Sequence, residues 1–443
     1  MKHTAILLAA LFCNAMAQAQ TAYKFDFGAG REKKGYTAIS TTTQYSNETG
    51  YGFINSPELQ AKDYGGKSVE DDYIGSSKPF FFSVKLPDGN YDVKLVLGDR
   101  KGISATTVRA ECRRLMLENV RTQQGRVVTE TFTVHVKDSM IRDEGGNIVN
   151  RVRLKPREHD YLHWDNLLTI EFNDSMPKVC AIEITPNTTA ATVFLAGNST
   201  VVDQSREPWA SWGQMFPVFF QPGKVAVANY AESGETLSSF IAARRFKKVL
   251  SLMKAGDYAF VEFGHNDQKQ KGEGVGAFTS YKKDLEFFIS EVKKKGGIPV
   301  LVTSVQRRKF DNAGHIEETL GDYPAAVRQT AKEQNIPLID LNAMTKVMYE
   351  AWGPEESINA FVHFPANTFP NQTQALADNT HFRNFGAYEV ARLVLKGVKD
   401  SRIGLAGFIK PGVKIMDPAK PDLIKSFYWP PSPMMEAVKP DGN

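Results

Sequence analysis

The sequence predicts a multidomain protein, an N-terminal β-sandwich followed by a three-layer α/β/α domain on a mostly parallel sheet. Three observations carry this expectation. A chain of 443 residues exceeds what one hydrophobic core usually organises. Up to about Pro186, short alternating apolar and polar runs recur without a long amphipathic helix between them. Beyond that point, short continuous apolar runs alternate with helical patterns, the rhythm of βαβ units.

The first segment, residues 1–19, reads as a secretory signal. Lys2 precedes an apolar run from Ala5 to Phe12, and small residues stand at Ala15, Ala17 and Ala19, so cleavage is expected after Ala17 or Ala19 and the protein is expected to be exported, to the periplasm or the medium. Bulky Phe12 stands before Cys13, where a lipid-attachment cysteine wants a small residue, so a lipoprotein anchor is not the expectation. The run is too short for a permanent span, and no later stretch of about 18 apolar residues follows, so stable membrane insertion is not expected.

Residues 20–186 form the expected sandwich. Phe80 to Leu86 and Tyr91 to Leu97 read as strands joined by the turn Pro87-Asp88-Gly89-Asn90. Val127 to Val136, Leu167 to Phe172 and Val179 to Ile184 alternate in the same way. The small, polar stretch Thr185 to Ala190 marks the boundary. From 187 to 405, Thr192 to Ala196, Val225 to Asn229, Tyr258 to Phe263, Ile298 to Thr303 and Ile336 to Asp340 are the expected buried parallel strands. The clearest helix runs from about Thr279 to Lys295, with Tyr281, Leu285, Phe288, Ile289 and Val292 on one face and Gly296-Gly297 as its stop. Residues 406–443 are proline-rich, including Pro430-Pro431 and Pro433, and are expected to lie extended over the surface or partly disordered.

Composition narrows the function classes. With 42% apolar and 23% charged residues the chain is an ordinary globular one. A formal charge of +4, which falls by one when Lys2 leaves with the signal, is too small and too scattered for nucleic acid. It remains compatible with an acidic polysaccharide. There is no C-x-x-C or H-E-x-x-H, and the eight histidines are dispersed, so neither metal nor cofactor is expected. Cys112 and Cys180 are left open between a disulfide and two buried thiols.

Four short stretches carry chemistry: Gly197-Asn198-Ser199-Thr200, Ser233-Gly234-Glu235, Gly264-His265-Asn266-Asp267 and Asp378-Asn379-Thr380-His381. A serine hydroxyl becomes a nucleophile when an imidazole takes its proton and a carboxylate holds the imidazole's tautomer. Ser199, His381 and Asp378 fit those roles, and the Ser199 and Gly234 amides with the Asn266 side chain are candidate donors to an oxyanion. In an open parallel sheet, ligands bind beyond the carboxyl ends of the strands. Ser199 follows the first strand of the second domain, Gly234 lies after the second and Asn266 follows the third, so all three converge on one rim. His265 and His363 are rivals for the base, but only His381 has an acidic residue three positions before it. His265, His363 and Arg383 remain candidates for substrate binding, Arg383 as a partner for a uronate carboxylate. Asp267 reads as a loop residue, and Asp378 also suits a helix cap. Trp209, Trp212, Tyr230 and Phe382 read chiefly as core.

The order Ser, Gly, Asn, then Asp-x-x-His resembles the SGNH (GDSL-like) hydrolase superfamily. The words Gly-Asn-Ser-Thr-Val, Phe-Gly-His-Asn-Asp and Asp-Asn-Thr-His-Phe are similar to those of its rhamnogalacturonan acetylesterase branch, over roughly residues 190 to 400. The resemblance implies a flavodoxin-like hydrolase domain with a Ser199–His381–Asp378 triad, an oxyanion hole from Ser199, Gly234 and Asn266, and no cofactor. It also implies an acetylated plant polysaccharide or oligosaccharide, such as pectin, as substrate. Acetylxylan esterase, lipase and lysophospholipase are the alternatives within the superfamily, and a decayed, non-catalytic carbohydrate-binding protein is the alternative outside it. The family word carries Asp where this chain has Asn198, which keeps the acceptor and drops the charge. The N-terminal domain is similar to galactose-binding-like or carbohydrate-binding modules.

Overall fold

A computed structural model describes residues 22–30 and 33–441. The expected signal segment and Cys13 lie outside the described residues. Two sheets form the sandwich. The seven-stranded sheet runs Val127–Val136, Gly89–Gly98, Lys178–Pro186, Tyr23–Phe27, Thr37–Ile39, with Asp72–Gly75 also on Lys178–Pro186 and Gln60–Asp63 on its far side. The five-stranded sheet runs Tyr51–Ile54, Phe80–Lys85, Leu167–Met176, Ser104–Ala110, Arg114–Thr122. Side chains alternate between the faces, so Phe25, Phe27, Phe53, Phe80, Phe82 and Phe172 meet in one core. The turn after Phe80–Lys85 closes no hairpin. That strand pairs with Leu167–Met176, whereas Gly89–Gly98 pairs with Val127–Val136, so Pro87 to Asn90 carries the chain from one sheet to the other.

The sheet of the second domain is wholly parallel. Its spatial order is Val225–Asn229, Ala191–Gly197, Tyr258–Glu262, Ile298–Val302, Leu338–Ile339, which is 2-1-3-4-5 in sequence order. The order reverses between the first and third strands, the position where such sheets open a crevice. Helices cover both faces. Lys282–Lys294 buries Leu285, Phe288, Ile289 and Val292 on one, and Asn384–Asp400 buries Val390, Leu393, Val394 and Val398 on the other. Cys112 and Cys180 are both free and buried, which resolves the question their number left open.

Charged groups join the two domains. Arg114, from the sandwich, lies with Nε 2.8 Å from Asp203 of the loop after the first parallel strand, and both are buried. Arg113 donates to the carbonyls of Gln204 and Trp209. Removing one partner of such a buried pair typically costs about 3–5 kcal/mol. The C-terminal segment departs from its expected role as a surface appendage. It is extended, but Trp429 stacks on the Arg109 guanidinium at 4.1 Å, Ser432 is buried, and Asn173 donates to the Pro431 carbonyl at 2.9 Å.

Burial also sets a pH dependence. It pushes the carboxyls of Asp26, Glu262 and Asp267 up to about 7. Through neutrality the folded chain therefore keeps protons that the unfolded chain has already released, and stability contributed by these groups is lost as pH rises through about 7. His135, His163 and His265, held neutral by burial, act in the opposite sense but mainly below about 7, since the unfolded imidazole is half charged at about 6.5, and the raised carboxyls outweigh them above that. The thermal midpoint is expected to be lower at pH 8 than at pH 6.5. A midpoint that climbs over this interval would mean these carboxyls ionise as they do in water.

Candidate active site

The turn that presents Ser199 begins where the strand Ala191–Gly197 ends. Asn198 is fully buried, and its Oδ1 accepts from the Thr200 backbone N–H at 3.1 Å and the Thr200 hydroxyl at 3.0 Å. Its backbone carbonyl accepts from the N–H groups of Val201 and Val202, both at 3.0 Å. What this position uses is an acceptor, and Asn provides one without burying the charge that an Asp would bring. The Ser199 carbonyl accepts from Ser211 Oγ at 2.6 Å and Gln204 Nε2 at 2.9 Å, so the turn is fastened without using the Ser199 hydroxyl. Below the turn, Glu262 accepts from Thr200 Oγ1 at 3.0 Å and from the Trp212 indole N–H at 2.6 Å. The sequence patterns above do not single out Glu262, although an acidic residue inside the otherwise apolar run Tyr258 to Phe263 is a visible signal.

The imidazole and carboxylate come from the strand Leu376–Phe382, paired with Phe361–Phe364. Asp378 Oδ1 accepts from the backbone N–H groups of Thr380 at 2.9 Å and His381 at 3.0 Å. Its Oδ2 accepts from His381 Nδ1 at 2.7 Å, which leaves His381 Nε2 as the acceptor for the Ser199 hydroxyl, 2.8 Å away. Burial pulls the Asp378 carboxyl upward, but the His381 ring and the two amides outweigh it and hold the group well below the usual carboxylate range. Asp378 is therefore an anion whenever the site is assembled.

Gly234 adopts a left-handed backbone, φ 79°, which turns the chain after Ser233. Neither its amide nor that of Ser199 donates to a protein acceptor among the described residues. Asn266 uses one side-chain N–H on the Glu235 carbonyl at 3.1 Å, an orienting bond that leaves its second N–H. Asp267 locks this loop, accepting from the N–H groups of Leu237 and Gly264, each at 2.8 Å, which is the loop role expected of it.

The remaining candidates separate. His265 is buried within this loop, and burial together with Arg307 and His381 keeps its pKa well below the ordinary value. His363 places Nε2 2.9 Å from Asn379 Oδ1, one residue from Asp378. Arg383 is engaged by Asn359 and lies over the Phe364 ring at 5.5 Å. Trp212, Tyr230 and Phe382 are core, whereas buried Trp209 lines a cleft of about 300 Å³ between the sandwich, the Ser233 loop and the C-terminal segment. Arg157 and Lys439 also line this cleft, and no sequence pattern had pointed to either.

Residues 195–378 match the GDSL-like lipase/acylhydrolase family, and residues 23–142 match the family described as β-agarase/YXIM esterase-like, galactose-binding domain-like. Rhamnogalacturonan acetylesterase RhgT of Bacillus subtilis is 47% identical over 210 residues, covering 47% of this chain and 89% of that protein. The uncharacterized esterase YxiM of Bacillus subtilis is 27% identical over 410 residues, covering 89% of this chain and 94% of the relative. A crystal structure of YxiM aligns over 87% of this chain and 99% of its own, at 24% identity and a TM-score of 0.45.

Proposed function

Because the chain belongs to the GDSL-like lipase/acylhydrolase family and is an esterase, we propose that it removes acetyl groups from the rhamnogalacturonan of pectin through an acetyl-enzyme intermediate. The observation that carries the mechanism is the unbroken relay from Ser199 Oγ through His381 to Asp378, at 2.8 and 2.7 Å. Ser199 attacks the acetyl carbonyl while His381 Nε2 takes its proton, and Asp378 stabilises the imidazolium that results. The Ser199 and Gly234 amides and the free N–H of Asn266 receive the oxyanion. His381 returns the proton to the departing sugar oxygen, then deprotonates the water that releases acetate. None of these steps draws on a metal or cofactor. Export through the segment 1–19 suits a polymer too large to be taken up whole.

The 47% identity to a rhamnogalacturonan acetylesterase supports rhamnogalacturonan as the substrate. This assignment is tested by comparing acetate release from acetylated rhamnogalacturonan with release from acetylxylan. The expected outcome is a kcat/KM at least about tenfold higher on rhamnogalacturonan, equivalent to about 1.4 kcal/mol of transition-state discrimination. Faster release from xylan would remove pectin from the proposal and leave the esterase chemistry intact.

A further inference from the structure

We propose that the Arg157 guanidinium is the docking point for a carboxylate of the substrate, and that Asp441, in the chain's own C-terminal segment, holds that place until substrate displaces it. The inference rests on the esterase reading above and adds to it a uronate-recognising residue supplied by the sandwich domain.

The geometry is that of a fork with one arm fixed. Arg157 follows the segment Ile148–Arg151 and reaches across to the Ser233-Gly234 turn. One terminal nitrogen is committed to that turn, donating to the Ser233 carbonyl at 3.0 Å and to buried Glu232 at 2.5 Å. The other nitrogen is presented to the cleft, and there it meets the carboxylate of Asp441. That carboxylate lies beside the candidate oxyanion donor, since a Cβ placed on Gly234 would come within 2.9 Å of the Asp441 Cβ. A planar guanidinium with a free arm is suited to a carboxylate, and the internal one shows the position such a group takes.

The occupant is built to leave. Trp429 donates to Glu207 at 2.9 Å, the Glu207 N–H donates to the Met434 carbonyl at 2.8 Å, and the Glu436 N–H donates to the Glu207 carbonyl at 2.9 Å, so the segment is tied down to Glu436. Beyond Glu436 it makes no backbone hydrogen bond among the described residues. Charge pairs hold it there: Lys439 Nζ lies 3.8 Å from Asp378 Oδ2, and Asp441 pairs with Arg157. The Asp441 side chain is 57% exposed and that of Arg157 32%, and pairs this open to water are weak and exchangeable. A polymer bearing a carboxylate on alternate sugars offers the guanidinium an anionic partner, and a neutral xylan does not.

The test is equilibrium binding to the full chain, measured by calorimetry with unacetylated oligogalacturonate and with neutral xylo-oligosaccharide, neither of which requires turnover. Asp441→Asn is expected to tighten oligogalacturonate binding about threefold to tenfold and to leave xylo-oligosaccharide binding where it was, and Arg157→Gln to weaken oligogalacturonate about tenfold, the size of one charge-assisted hydrogen bond. Arg157→Gln also uncovers Glu232 and is read only if its thermal midpoint is retained; Asp441→Asn touches no buried group and is the deciding variant. Unchanged oligogalacturonate affinity in Asp441→Asn, equal shifts for both ligands, or no binding of oligogalacturonate by either protein would overturn the proposal. A chain that binds as expected but releases no acetate would instead overturn the hydrolytic reading alone.

Discussion

Replacing Ser199 by Ala is expected to lower kcat for release of acetate, or for hydrolysis of p-nitrophenyl acetate, by about 10⁴-fold or more, with the thermal midpoint nearly unchanged. The size follows from what the hydroxyl does. Without it no acetyl-enzyme forms, and the imidazole and the N–H donors are left to promote direct attack by water. The small structural effect follows from how the turn is held. Asn198 Oδ1 and the Ser199 carbonyl carry its hydrogen bonds, and the Ser199 hydroxyl contributes only its bond to His381. His381→Ala is expected to cost about as much, and the double variant little more than either single one, because residues that act as one relay are not additive. A Ser199→Ala protein with more than about a tenth of the parent rate would place the nucleophile elsewhere.

Regular repetition made much of the fold legible. Val127–Val136 and Val225–Asn229 occupy the residues their apolar patterns predict, because alternation marks a half-covered strand and an unbroken apolar run marks a strand covered on both faces. The groups that meet at the site were legible for another reason, since each lies in a contiguous word at a strand end and strand order alone brings those ends together. The Ser199–His381 approach joins residues 182 apart, yet both ends were visible locally.

What escaped depends on contacts between distant segments that leave no local period. Nothing in Pro87-Asp88-Gly89-Asn90 distinguishes a hairpin turn from a crossover between sheets; the partners of the flanking strands decide that. Arg113 and Arg114 look like surface residues, and they are buried because Asp203 and the carbonyls of the second domain receive them. The proline-rich terminus reads as solvent-exposed for the same reason, since the groups that fasten it, Arg109, Asn173 and Glu207, lie hundreds of residues upstream.

Asp378→Asn is the sharper test of the relay, because it changes almost no volume and is expected to lower kcat by about 10⁴-fold. Asp378 Oδ1 accepts the Thr380 and His381 amides, so the Asn carbonyl oxygen is held in that position and the new NH₂ group takes the place of Oδ2. A donor then faces His381 Nδ1, where the carboxylate had accepted at 2.7 Å. The imidazole responds by moving its proton to Nε2, which places an N–H against the Ser199 hydroxyl and leaves no base to take its proton. The anion that stabilised the imidazolium is lost as well. Substrate affinity is not expected to fall, since the change lies behind the ring and weakens the Lys439 pair that helps hold the C-terminal segment over the site, and the thermal midpoint is expected to move little because both amides keep their acceptor. Asp378→Ala differs in a telling way: it strands those two amides, each costing about 1–3 kcal/mol if left without an acceptor, so its stability falls along with its rate. An Asn variant that works within about tenfold of the parent would mean that Asp378 only caps the Thr380–His381 turn, and that the charge facing His381 has no part in the rate.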